Sequence, residues 1–284
     1  MEGLIHGHRA CAGCGCAICM NMILRTIGKD VIIVNATGCM EIISTLYPET
    51  SWDVPYIHSL FENAPAVASG IARYLQSEGK ETKVICIGGD GGTYDIGFAA
   101  LSGMLERNEN VLYICYDNEA YMNTGVQRSS ATPLHAETTT SQYGNKVHGK
   151  LEWKKPILDI VAAHKVPYVA SASIAFPEDL TNKIKKALNI KGSRFIDVHC
   201  SCPLGWGHDS SLTIEKCRQA VECGMWVLFE VENGKITLNK KDKTLPVKDY
   251  IAGQKRFSKL SEQDIKELQS MVDKQWEEII RRSQ

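Results

Sequence analysis

Two sets of residues in this sequence have types and spacings suited to chemistry. The first is Gly88-Gly89-Asp90-Gly91-Gly92-Thr93, followed 28 positions after Asp90 by Asp117-Asn118. Glycines let a backbone approach a ligand closely, and free amides at a helix start favour anionic groups. Asp90 and Asn118 each follow an apolar run that reads as a buried strand. In a parallel sheet the ends of neighbouring strands share one edge, where ligands bind. The two side chains, with a backbone carbonyl such as that of Ala120, then suit one octahedral Mg²⁺. Such an ion takes few protein oxygens and completes its shell with water and phosphate. A diphosphate is its natural partner. Gly-Asp-Gly alone is a common turn; the later asparagine at a second strand end sets this one apart.

The second set is thiols. The chain has 11 cysteines. Cys86 and Cys115 sit inside apolar runs and read as small core residues. Cys11-Ala12-Gly13-Cys14 is a close pair, Cys39 directly follows a strand, and Cys202 lies in Ser201-Cys202-Pro203-Leu204-Gly205-Trp206. Four thiolates suit Zn²⁺ or an iron–sulfur cluster, and spacing does not choose between these and no metal at all. Cys16 and Cys19 crowd the first pair, and Cys200 stands two residues before Cys202. Strand alternation lets Cys200 and Cys202 point the same way, so either serves as a fourth ligand on local grounds. Cys217 and Cys223 fall on a helical pattern and read as packing or surface residues.

The elements that must position these groups alternate. Strands are expected at 31–34, 83–87, 111–116, 168–172 and 194–198. Helices are expected at about 19–28, 63–77, 97–108, 157–164, 179–190 and 211–224. Short, continuously apolar strands between helices imply an α/β fold: a mostly parallel sheet covered on both faces. Residues 203–260 are more irregular, with an apolar run at 226–229 and a Lys-rich stretch at 235–248. Ser261 and Asp264 form a capping pattern before Ile265, Leu268, Val272, Trp276 and Ile279, which share one helix face. One domain over residues 1–260 is expected, with 261–284 a helix packed on it or on a partner. Lys+Arg of 32 against Asp+Glu of 33 argues against a nucleic-acid-binding surface. No apolar stretch reaches the length of a membrane span, and the N-terminus lacks a signal-peptide layout, so a cytoplasmic location is expected.

The spacing from Asp90 to Asn118 resembles the thiamin diphosphate motif. There Asp90, Asn118 and the Ala120 carbonyl match the Mg²⁺ ligands, and Gly91, Gly92 and Thr93 match the diphosphate-facing turn. The wider sequence, from Gly89 through Asp117-Asn118-Glu119-Ala120-Tyr121-Met122-Asn123-Thr124-Gly125, resembles the β subunits of 2-oxoacid:ferredoxin oxidoreductases, the pyruvate-specific ones most of all. The likeness extends over Cys11 to Gly15, Thr37 to Gly70, Gly88 to Thr140 and Cys202 to Trp206. It implies a thiamin diphosphate-binding (PP-type) domain with Cys11, Cys14, Cys39 and Cys202 on a [4Fe-4S] cluster. It also implies that Thr37, Gly38 and the segment holding Ile57, His58, Glu62 and Asn63 line the thiamin pocket with Gly89, Met122 and Thr124. Asn123 is the catalytic candidate, an amide that can hydrogen-bond a developing oxyanion, against the plainer role of a turn residue. His58 is a weaker proton-donor candidate. Glu62 and Asn63 equally suit helix caps.

The glutamate that activates thiamin normally comes from a second α/β domain, and none is left over here. A partner chain is therefore expected to supply it. The resemblance implies α, γ and ferredoxin-like δ subunits, coenzyme A, a 2-oxo acid (pyruvate by default) and ferredoxin. It implies reversible oxidative decarboxylation to acyl-CoA and CO₂, with electrons leaving singly. The family usually continues Thr138-Thr139-Thr140 with Ser-Pro; here Ser141-Gln142-Tyr143 follows, which loosens any assignment of the 2-oxo acid. Lys146, Lys150, Lys154 and Lys155 read as a solvated basic loop. Three rivals stand: another 2-oxo acid, a non-redox thiamin-dependent decarboxylase or ligase subunit, and a zinc-stabilised non-catalytic subunit.

Overall fold

The structure is a computed structural model that describes residues 3–4 and 7–284. The elements run α1 (Gly15–Ile27), β1 (Val31–Ala36), α2 (Cys39–Ser44), β2 (Tyr56–Ser59), α3 (Ala64–Ser77) and β3 (Lys83–Gly89). A single π-helical turn, Gly91–Asp95, then leads into α4 (Phe98–Glu106) and β4 (Val111–Asp117). The second half holds α5 (Ile157–Ala163), β5 (Tyr168–Ser173), α6 (Pro177–Leu188), β6 (Arg194–His199), α7 (Pro203–Trp206) and α8 (Thr213–Glu222). It closes with β7 (Phe229–Glu232), β8 (Lys235–Leu238), α9 (Val247–Ile251) and α10 (Glu262–Ser283).

One eight-stranded sheet, in the order β2-β1-β3-β4-β6-β5-β7-β8, joins them. The pairings among β1 to β6 are parallel; β7 and β8 add an antiparallel hairpin beside β5. The apolar runs explain the central strands, because both faces are buried. Ile85, Ile87, Leu112 and Ile114 face one core, with residues of α1 and α6. Val84, Cys86, Val111 and Tyr113 face the other, with residues of α3 and α4. A third core lies under α8, α9 and α10 around Trp206, Trp226 and Tyr250.

The expected strands and helices match these elements to within about two residues at their ends, apart from the earlier start of α1 at Gly15, and the short helices α2, α7 and α9 are additions. β2 and the β7–β8 hairpin were not expected as strands, and the hairpin replaces part of the irregular 203–260 stretch. The capping pattern forms: Ser261 Oγ accepts from Asp264 N at 3.2 Å, and Asp264 Oδ2 accepts from Ser261 N at 2.8 Å. Leu268, Val272, Trp276 and Ile279 of α10 are buried against the chain's own cores. No helix among the described residues is long and apolar enough to cross a membrane.

Candidate functional site

β1 sends its chain outward to β2, whereas β3 sends its chain the other way, to β4. Loops leaving adjacent parallel strands in opposite directions open a crevice at the carboxyl edge, the usual ligand position in such sheets. A cavity of about 80 Å³ lies there. Thr37, Gly38 and Cys39 line it from the end of β1, and Gly89, Asp90, Gly91 and Gly92 from the end of β3. Asn118, Ala120, Met122, Asn123 and Thr124 line it from the segment after β4. Phe61, Tyr116 and Tyr121 complete the wall; Phe61 and Tyr121 fall inside segments the sequence pointed to without being singled out, and Tyr116 was read only as part of a strand.

Asp90 is buried, and Ser129 Oγ donates to its Oδ2 at 2.5 Å. Burial, and then the neighbouring Asp117, push the Asp90 carboxyl well above the usual range. A cation beside it would restore the charged form. The Asn118 amide nitrogen donates to Cys16 Sγ at 3.3 Å. Its oxygen faces two acceptors, Asp90 Oδ1 at 3.1 Å and the Ala120 carbonyl at 2.8 Å. Oxygens this close with no proton between them repel. Either a cation sits among them or the amide turns over to donate to both. The spacing suits Mg²⁺: ligands at about 2.1 Å in an octahedron stand about 3 Å apart. The donor set therefore fits the ion.

Gly91 is required by close approach. A Cβ there would lie 2.3 Å from the Tyr121 ring. The Thr93 hydroxyl turns into the core, donating to the Gly89 carbonyl at 2.7 Å and meeting Tyr113 Oη at 2.8 Å, which leaves its backbone at the turn. His58 and Ile57 are exposed and lie outside the cavity wall, but His58 Nε2 bonds Thr37 Oγ1, which is in that wall, at 2.7 Å. Glu62 is exposed. Asn63 occupies the N-cap position of α3 without a side-chain cap bond; its Oδ1 accepts from Ser59 Oγ at 2.5 Å instead.

All 11 cysteines are free. Four of them reach the surface, and these are Cys11, Cys14, Cys39 and Cys202; the other seven are buried. The four are neighbours: Cys39 feels Cys202 and Cys14, and Cys202 feels Cys14 and Cys11. Burial, then Cys202, push the Cys39 thiol up to about 12. Protonated thiols held together in this way become ligands only by releasing protons to a metal. Among the described residues no three His, Cys, Asp or Glu side chains close around a single ion. A zinc site would require sulfurs about 3.8 Å apart, from Zn–S bonds of about 2.3 Å. Cys200 is wholly buried, its Sγ 3.6 Å from Cys16 Sγ. The strand ends at His199, so alternation no longer governs the next residues. Cys202 instead caps α7, its Sγ accepting from Gly205 N at 3.3 Å. Cys217 and Cys223, expected in packing or on the surface, are packing residues.

Behind the cavity lies a buried ionic group. Glu119, in the left-handed region at φ 69°, carries Asn118 and Ala120 on either side of it. It pairs with Arg256 at 2.7 Å, His199 at 3.5 Å and Lys154 at 3.9 Å. Lys154 also binds Asp117. Burial alone would raise the Glu119 carboxyl, yet Arg256 and then His199 hold it below the usual range. Burial, then Asp117, push Asp197 up to about 7, where Tyr94 donates to it. The solvated-loop expectation is thus corrected for Lys150 and Lys154. Lys150 is buried, donating to the Thr132 carbonyl at 2.6 Å, and Lys154 neutralises carboxylates.

Residues 36–198 match the profile of the thiamine pyrophosphate enzyme, C-terminal TPP binding domain. Pyruvate synthase subunit PorB of Methanocaldococcus jannaschii is 52% identical over 276 residues, covering 94% of this chain and 93% of that one. The chain belongs to the 2-oxoacid:ferredoxin oxidoreductase family. It is a β subunit of that class. Ketoisovalerate oxidoreductase subunit VorB of Pyrococcus furiosus is 43% identical, over 98% of this chain and 92% of that one. The fold is shared with 2-oxoglutarate:ferredoxin oxidoreductase from Magnetococcus marinus, at a TM-score of 0.61 and 22% identity, over 76% of this chain and 79% of that one. In this β subunit the family profile runs from the last residue of β1 into β6, and so takes in the loops that build the crevice.

Proposed function

We propose that this subunit holds thiamin diphosphate through a Mg²⁺ on Asp90, Asn118 and the Ala120 carbonyl, and a [4Fe-4S] cluster on Cys11, Cys14, Cys39 and Cys202. With its partner subunits it oxidises a 2-oxo acid, pyruvate by the names of its relatives, to acyl-CoA and CO₂. Bound thiamin would supply the electron sink for decarboxylation, and the cluster a one-electron route towards ferredoxin. The observation that carries the reading is the meeting of the Asp90 carboxylate, the Asn118 amide and the Ala120 carbonyl at one point of the crevice, with the amide 3.1 Å and 2.8 Å from the other two, in a wall that also includes Cys39.

The chain's own residues have definable parts in this. Gly91 and Gly92 admit a diphosphate to the backbone of the π-turn. Asn123 is exposed at the cavity rim, where its amide can hydrogen-bond the substrate oxygen. It shares the cavity wall with Cys39, which sets the cofactor loop beside the cluster segment. Thr139 Oγ1 donates to the Gly125 carbonyl at 2.9 Å, placing the threonine run beside that loop. The non-redox rival leaves the four thiols without a role, and metal analysis separates the zinc rival from the cluster.

The test is the metal, sulfide and thiamin content of the complex, co-expressed with its partners and purified without oxygen. Iron and sulfide assignable to this subunit, with thiamin lost in Asn118→Ala, support the reading. Zinc in place of iron, or unchanged thiamin in Asn118→Ala, refutes it. A substrate screen then separates pyruvate from branched 2-oxo acids.

A further inference from the structure

A second cavity, of about 290 Å³, lies between α5, α10 and the strands β5, β6 and β7. It is larger than the crevice and shares no lining residue with it. Trp153, Ile157, Val227, Phe229 and Met271 make much of its wall apolar. Lys274 and Glu278, both exposed, stand at its edge, so it opens to solvent. A largely apolar cavity on which a few polar groups converge is the usual form of a small-molecule site. Most polar groups in this wall are already met. Trp153 Nε1 donates to Gln275 Oε1 at 3.1 Å, and Ser171 Oγ donates to the Val227 carbonyl at 2.6 Å. Two are not. The buried Nε1–H of Trp226 has no acceptor among the described residues, and buried Asp197 Oδ1 has no hydrogen bond there either. Tyr94 donates to the other Asp197 oxygen, and the donor beside this carboxyl is the Cys115 thiol, a weak one.

The Trp226 ring is held in place. The Lys154 ammonium lies 4.2 Å from its centroid, and His199 stacks on it at 4.7 Å. A buried donor kept without an acceptor destabilises the fold, and a ligand that accepts from it removes that penalty. Water suits the cavity poorly. An ordered buried water needs about two to four polar partners, and two unmet groups cannot organise the several waters this volume would take. The two groups also select the ligand. An ammonium offers no acceptor to Trp226, and a carboxylate offers no donor to Asp197, whereas an amide offers both. The facing indole and phenyl walls suit a flat apolar body. We propose that this cavity is a second small-molecule site, which takes an uncharged ligand with a flat apolar body and an amide head, its oxygen accepting from Trp226 and its N–H donating to Asp197.

The site is independent of the thiamin and cluster assignments. Benzamide, a flat ring with an amide head, is titrated into the complex assembled with its partner subunits, and binding is read by saturation-transfer NMR. Toluene, the same ring with a methyl in place of the amide, is the second probe. Benzamide is expected to saturate one site, and toluene to bind there through the apolar wall alone. Trp226→Phe keeps an aromatic ring and removes the N–H. It is expected to weaken benzamide about fivefold, the scale of one lost hydrogen bond, and to leave toluene within about twofold of wild type. Met271→Trp fills the cavity from α10 and is expected to abolish binding of both. A wild-type complex that does not bind benzamide overturns the proposal, as does benzamide binding that Met271→Trp leaves unchanged. Equal weakening of both probes by Trp226→Phe overturns the assignment of the amide head. If Trp226→Phe does not fold, Met271→Trp, at a half-buried position, decides alone.

Discussion

Arg256 closes a 2.7 Å ion pair with Glu119 across 137 positions of sequence, both side chains being almost wholly buried. The guanidinium also lies over the Trp206 ring, 3.7 Å from its centroid. Glu119 is the residue whose left-handed backbone sets Asn118 and Ala120 towards Asp90. A non-glycine residue resists that conformation, and the ion pair holds it there. Arg256→Met should destabilise the folded subunit by about 3 kcal/mol, because it strips the main counter-charge from a buried carboxylate. Denaturant unfolding of the assembled complex measures the loss, and bound thiamin should fall with it. Unchanged thiamin content would show that the pair serves folding alone.

The fourth thiol ligand is separable by substitution. Cys202→Ser should lose iron and sulfide, because Cys202 reaches the surface beside Cys14 and Cys11. Cys200→Ser should retain both, because that thiol is turned into the core. Iron analysis on each variant decides, and the reverse pattern would reassign the ligand.

Gly91→Ala should lower thiamin diphosphate affinity at least tenfold, roughly the effect of 1.4 kcal/mol. The new methyl cannot coexist with the Tyr121 ring, and Tyr121 Oη is anchored to Asp95 Oδ2 at 3.2 Å. The ring must leave the cavity wall. A binding isotherm at saturating Mg²⁺ reads the change; affinity within twofold of wild type would mean that the wall yields easily.

Asp264 caps α10 and also accepts from Tyr143 Oη at 2.8 Å and contacts His148 Nδ1 at 2.9 Å. Burial acts to raise its carboxyl, but the His148 and Ser261 bonds prevail and hold it below the usual range. A depressed carboxylate contributes stability above the unfolded value, about 4, and loses it as pH falls through the folded one. Asp264→Asn should cost about 1 kcal/mol near neutrality. Its melting temperature should fall less than that of wild type as pH drops below 4. Parallel acid limbs would exclude this carboxylate as a source of acid sensitivity.

Sequence alone located the central strands because they are buried on both faces, which leaves uninterrupted apolar runs such as Val31 to Val34 and Val111 to Tyr116. It missed β2, four residues whose central pair, Ile57 and His58, is exposed. It also missed the β7–β8 hairpin, although the signal was present: Asn233-Gly234 links the alternately buried Phe229-Glu230-Val231-Glu232 to β8. Asp90 and Asn118 stood out as candidates because each directly follows an apolar strand, and the four cysteines by their residue type, as a close pair before α1, at the start of α2 and just after β6. The charges behind them were not legible. Nothing local pairs Lys154 with Asp117 or Arg256 with Glu119, so Lys154 reads as a solvated lysine until the chain is folded.

The four surface-reaching thiols have a consequence for biogenesis. Cys14, Cys39 and Cys202 pack at the margins of the cores and stay partly exposed, and Cys11 is exposed. A folded chain can therefore receive an inorganic group late, as a finished scaffold, without partial unfolding. Loading and folding become independent steps, and native-state chemical reconstitution with ferrous iron and sulfide should proceed without denaturant.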